Sequence, residues 1–128
     1  KYVVNQLREQ GIKAGLLRIC MFRPFPAEEV KEALKNIPII GVVDRSSGLG
    51  AAQGPVCSEV KAALSGMDNK VFGYVGGIAG RDISDGSFRK IFGELLDIHA
   101  GKADAVTTWF DVRPDAMDMR EVETNVNV

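Results

Sequence analysis

The sequence predicts an α/β fold, a mostly parallel sheet with helices on both faces. Three observations predict it. Short apolar runs alternate with segments of helical period. Two of those runs end in glycine-rich loops that lead into helices. The chain has 128 residues, which suits one domain and can bury a core without disulfide or metal staples.

The elements follow in order. Tyr2, Val3, Leu7 and Ile12 give an apolar stripe near helical spacing, and Gly11 is its natural stop. The chain begins at Lys1, already inside this pattern, which suggests a piece of a longer polypeptide. A strand before Lys1 would complete a fourth, so the first strand of the sheet is expected to be missing from this chain. Ala14 to Phe22 (AGLLRICMF) is apolar apart from Arg18 and flanked by glycine and proline, and it reads as a strand buried on both faces. Pro24 and Pro26 end it, because each fixes φ and removes a donor. Ala27 to Asn36 reads as a helix, with Glu28 and Glu29 placed to complement the dipole.

Ile37 to Asp44 (IPIIGVVD) is the next buried strand. Gly54 to Gly66 supplies a helix with Val56, Val60, Ala63 and Leu64 on one face. Lys70 to Val75 is a strand, and the loop from Gly76 to Gly80 follows it. Asp85 to Ile98 is a strong helix, with Ser84 as N-cap and Phe88, Ile91, Phe92, Leu95 and Leu96 on one face. This bounds a domain at 1–98. Residues 99–128 form a tail expected to pack on the surface or on a partner. In it, Ala105 to Val112 has the pattern of a further strand, and five acids meet two arginines from Asp111 on.

Composition excludes several classes. Net charge is −1, so no field favours nucleic acid or an anionic membrane. No apolar run approaches the ~20 residues that span a bilayer. Cys20 sits in the expected first strand and Cys57 in a helix, so both read as buried free thiols of a reducing cytosol, although one disulfide is arithmetically open. There is no C-x-x-C pair, so the chain alone cannot hold an iron–sulfur cluster. His99, the single histidine, reads as a helix-end or surface residue. No catalytic set and no metal-ligand set emerges.

The loop from Gly48 to Gly54 raises the functional question. Its glycines stand at relative positions one, three and seven, whereas the dinucleotide fingerprint needs one, three and six. A P-loop lysine is absent. Backbone amides ahead of the helix, with Arg45, Ser46, Ser47, Gly48 and Gly50, remain candidate contacts for an anion. The other reading is a tight turn that allows close helix–strand packing. Both glycine loops are expected at the carboxyl ends of their strands, on an edge carrying Asp44, Arg45, Arg81 and Asp82. That edge either binds a small anion or packs against another domain.

Three signatures carry a family resemblance: FRPFP, VVDRSSGLGAAQGPVCSEVKAAL and GGIAGRD. In register they cover Val3 to Phe92. The sequence resembles the alpha subunit of thiamine-diphosphate-dependent 2-oxoacid:ferredoxin oxidoreductases, with pyruvate:ferredoxin oxidoreductase the nearest in pattern.

The resemblance implies a three-layer α/β sandwich like the C-terminal domain of transketolases. It implies an enzyme that converts pyruvate, coenzyme A and oxidised ferredoxin to acetyl-CoA, CO2 and reduced ferredoxin, with the 2-oxoisovalerate and 2-oxoglutarate enzymes as alternatives. The holoenzyme would use thiamine diphosphate, Mg2+, [4Fe-4S] clusters and coenzyme A, none bound by this fragment. Partners would be other domains or subunits of beta, gamma and delta type, with ferredoxin reached through the complex, in an anaerobic cytoplasm. The fragment alone is expected to be inactive and architectural. Its interface candidates are Arg23, Phe25, Asp44, Arg45, Arg81 and Asp82, with Arg23 expected to reach a carboxylate across an interface. The rival readings are a free-standing anion- or nucleotide-binding module built on Gly48 to Gly54, and a regulatory or adaptor subunit with no ligand.

Overall fold

The computed structural model describes residues 1–103 and 108–110. Helices α1 (Tyr2–Glu9) and α2 (Ala27–Leu34) precede strand β1 (Ile39–Asp44). Helix α3 (Pro55–Ala63) leads to β2 (Lys70–Val75), and a short 3-10 turn (Ile78–Gly80) leads to α4 (Asp85–His99). Strand β3 (Thr108–Trp109) closes the described chain. The sheet is parallel, in the order β1, β2, β3. The fold is therefore α/β around a parallel sheet, as the alternating pattern predicts.

Alternation along the strands decides which helix each side chain meets. Ile40 and Val42 of β1 join Val30 of α2 and Cys57, Val60 and Leu64 around α3 in one cluster. The intervening Ile39 and Val43 pack instead with Tyr74, Ile91 and Leu95, on the side of α4. A one-residue slip in β1 would exchange these two sets, so burial on both faces fixes its register.

The helix ends are built locally. Pro55 opens α3, where its missing N–H costs nothing. Ser84 caps α4, its Oγ accepting from the Ser87 amide at 3.1 Å. At the far end of α2, Asn69 Nδ2 donates to the carbonyls of Leu34 and Ile37 at 3.0 and 2.7 Å, satisfying oxygens that the helix leaves open.

Three expectations are corrected. Residues 14–22 form no strand, and Leu16 and Met21 are 61% and 56% exposed. Ile19 alone of the run packs on the α2–α3 cluster. An apolar run records residue type, but a strand buried on both faces also needs a pairing partner and two covers, which no local pattern encodes. Cys20 follows its segment: it is exposed, while Cys57 is buried as expected. Tyr2 also turns outward, and the buried face of α1 is Val3, Val4 and Leu7.

The sheet takes a strand from beyond residue 98. The Phe110 amide donates to the Val75 carbonyl at 3.0 Å, and the Phe110 ring packs where a side chain on Gly76 would stand. The remainder of the strand expected from Ala105 to Val112, except Thr108 to Phe110, lies outside the described residues, as does the rest of the tail.

Candidate functional site

The carboxyl ends of β1 and β2 set the two glycine loops side by side, since Asp44 pairs with Val75 in register. The first loop is organised by Asp44, the last residue of β1. Its side chain is on the face that packs against α3 and is 3% exposed. Oδ1 accepts the Val56 amide at 3.0 Å and Oδ2 accepts the Cys57 amide at 2.9 Å. Pro55 has no N–H to offer, and the Ser58 amide donates to the Gly54 carbonyl at 3.2 Å. The first turn of α3 is thus satisfied from within the chain. A carboxylate occupies the place an external anion would take, at the positive end of the helix dipole.

Gly54 makes this approach possible. A Cβ there would lie 2.2 Å from Asp44 Cγ, closer than any atoms pack. Gln53 fixes the end of the same loop: its amide donates to Ser58 Oγ at 3.1 Å, and its Oε1 accepts from Lys61 at 2.6 Å. Between these anchors the tip projects, with Leu49 fully exposed.

Arg45 joins the first loop to the second. Its Nε and Nη2 donate to the Gly77 carbonyl at 3.2 and 3.1 Å. Gly77 (φ +68°) adopts the left-handed conformation that glycine tolerates, and Ala79 (φ +56°) adopts it with a side chain in place. Arg81 and Asp82 follow, both exposed. Of the candidate anion contacts, Ser46, Gly48 and Gly50 are exposed, and Ser47 is half-buried with its hydroxyl turned to the Gly48 carbonyl at 3.4 Å.

The other interface candidates lie on the α3 side. Arg23 pairs with Glu59 of α3 at 2.8 Å and stacks over the Phe22 ring, 3.9 Å from its centroid. The carboxylate it meets is therefore in the same chain, and an exposed pair of this kind contributes at most about 1 kcal/mol. Phe25 packs on the α2–α3 cluster and meets Phe22 edge-on, with centroids 6.3 Å apart. The structure thus brings Asp44, Arg45 and the two loops together, and holds Arg23 and Phe25 elsewhere.

Two buried groups have shifted titrations. Burial pushes the Cys57 thiol up, opposed by Lys61 and reinforced by Asp44. Burial also raises the Tyr74 hydroxyl well above the usual tyrosine range, with the Glu94 carboxylate adding to the effect by charge and hydrogen bond. Neither group is poised as a nucleophile or base near neutrality. Among the described residues, no three His, Cys, Asp or Glu side chains converge as a metal site.

The sequence reading missed the capping role of Asp44 and the Glu59 partner of Arg23. The signal for the first was present: an acid ends a strand, and Gly-Pro starts the next helix. Glu59 lies 36 positions from Arg23, and nothing local links them.

Residues 1–87 match the family described as pyruvate:ferredoxin oxidoreductase core domain II. That is more than half of the chain. The chain belongs to this family.

Relatives of the chain carry oxidoreductase names. The pyruvate synthase subunit PorA of Thermotoga maritima is 41% identical over 99 residues, 76% of this chain and 25% of the relative. The PorA of Methanocaldococcus jannaschii is 39% identical over 114 residues, 88% of this chain and 28% of the relative. The ketoisovalerate oxidoreductase subunit VorA of Pyrococcus furiosus is 32% identical over 116 residues, 88% of this chain and 29% of the relative. The chain spans about a quarter of the length of these oxidoreductase subunits. The FRPFP turn, both glycine loops and the Asp44 cap fall inside the matched core domain II.

Proposed function

We propose that the chain is an architectural domain in the alpha subunit of a pyruvate:ferredoxin oxidoreductase, and that its carboxyl edge docks against neighbouring parts of the enzyme. The capped start of α3 carries this reading. A helix terminus neutralised by its own Asp44 is built to hold a loop in place rather than to receive a phosphate. Arg45, Arg81 and Asp82 then serve as polar contacts, and the exposed Leu49 as an apolar one. Such a scaffold raises turnover by holding reacting groups in register without touching substrate.

The reaction proposed for the whole enzyme is oxidative decarboxylation of pyruvate with coenzyme A, with electrons passed to ferredoxin. Thiamine diphosphate with Mg2+ would supply the carbanion chemistry and [4Fe-4S] clusters the electron path. The donor set here does not fit either group: Cys20 is exposed, Cys57 is buried, and neither has a second thiolate in its sequence neighbourhood. Those ligands belong to other domains or to beta-, gamma- and delta-type subunits, and the isolated chain is inactive. A cytoplasmic site for the complex is part of the same proposal.

The test is assembly and turnover of the alpha subunit carrying Arg45→Ala with Arg81→Ala. The expected result is that assembled complex and pyruvate-dependent ferredoxin reduction fall together, with the turnover of residual complex unchanged. Normal assembly with loss of coenzyme A or phosphate affinity would overturn the reading in favour of an anion-binding module.

A further inference from the structure

We propose that Trp109 is an anchor of the docking surface at the carboxyl edge, and that its partner is another domain of the same longer subunit. The proposal rests on the architectural reading above and adds a residue to it. Asp44, Val75 and Trp109 lie side by side across the three strands, in the last paired row before the loops. Asp44 and Val75 in that row are buried. Trp109 is 38% exposed, and among the described residues no strand pairs with the outer edge of β3.

β3 is attached through its pairing with Tyr74 and Val75, the Phe110 ring against Gly76 and the Phe110 amide on the Val75 carbonyl. Trp109 thus presents apolar area to water at an edge that also carries Arg45, Arg81 and Leu49. Tryptophan and arginine are the side chains most enriched where protein interfaces concentrate their binding energy. Asp82 in the same edge gives mixed charge, which suits a protein surface better than a phosphate or nucleic acid.

The length of the relatives points to the occupant. A freely diffusing partner needs an interface of roughly 1,200–2,000 Å². A domain tethered in the same polypeptide binds at high effective concentration and needs far less. The family is a numbered core domain, and the chain accounts for 21% to 30% of the length of its relatives.

The experiment uses the assembled alpha subunit labelled with fluorotryptophan, with Trp109→Phe identifying the resonance of Trp109. Fluorine NMR then compares the solvent accessibility of that indole in the subunit and in the 128-residue chain, whose sequence holds a single tryptophan. The expected result is a shifted resonance and loss of solvent contact in the subunit. Equal accessibility in both overturns the proposal, and shielding that grows with concentration of the chain alone overturns it in favour of a second copy. Trp109→Lys is expected to reduce assembled subunit on the order of tenfold, the loss of one interface anchor, while Trp109→Phe retains it. Should Arg45→Ala with Arg81→Ala impair assembly while Trp109 stays exposed, the docking reading stands and this inference fails.

Discussion

Oδ2 of Asp44, at the end of β1, accepts the amide hydrogen of Cys57, in the first turn of α3, at 2.9 Å. With the matching bond from Val56 to Oδ1, one carboxylate ties the strand, the glycine loop and the helix together. Replacement of Asp44 by Ala leaves two buried-side amides without acceptors. Charge-assisted bonds of this kind contribute about 1.5–3 kcal/mol each, shared here within one group, so the expected loss is about 2–4 kcal/mol. Denaturant titration of Asp44→Ala checks it, and a loss below about 1 kcal/mol would show that water replaces the carboxylate at little cost.

Two glycine substitutions should move stability in opposite directions. At Gly54 a methyl would collide with Asp44, so Gly54→Ala must displace the cap and is expected to cost at least as much as Asp44→Ala. At Gly93, inside α4, an added Cβ meets nothing within 4 Å. Gly93→Ala should therefore stabilise by about 0.5–1 kcal/mol, the helix-propensity difference. Thermal melts of the two variants read both signs.

Alkaline pH should destabilise the fold through Tyr74. Its folded-state titration is raised, by burial first and by Glu94 second. The native state then holds its proton where the unfolded chain has begun to release it. The linked stability is fully present below the unfolded tyrosine pKa of about 10 and declines as pH rises above that value toward the folded one. Tyr74→Phe removes this component. Its stability curve above pH ~10 should be flatter than that of the parent, and parallel curves would assign the alkaline loss to other groups.

Thiol labelling should separate the two cysteines. Cys20 is exposed, and Cys57 is buried with a raised titration. A thiol reagent is expected to modify Cys20 rapidly in the native chain and Cys57 only on unfolding. Equal rates would place Cys57 in a locally open α3.

Much of the fold was legible because its signals are local. β2 runs from Lys70 to Val75, as its apolar run and flanking residues indicate, and α4 extends past the expected Ile98 only to His99. Ser84 was legible as a cap because capping depends on residues three apart. Residues 14–22 misled because exposure depends on what lies opposite, and Leu16 is left 61% exposed among the described residues. At the candidate site, the paired loops followed from parallel topology. The Asp44 cap left a trace, a strand-end acid ahead of Gly54-Pro55, but the same acid reads equally well as a surface charge, and only the packing of β1 on α3 decides between them. Trp109 falls in the strand read from Ala105 to Val112, but its place in the row with Val75 depends on the register of β3, which no local pattern encodes.

The most direct test of a docking rather than a cradling edge is a thermal-shift titration of the chain with thiamine diphosphate and Mg2+, coenzyme A, ADP and phosphate. A true ligand at ~100 times its dissociation constant adds about 2.7 kcal/mol, which is readily seen in a domain of this size. With Asp44 already seated on α3, the expected result is no shift with any of them. A specific shift that disappears in Arg45→Ala would contradict the account and make the glycine loop a binding site.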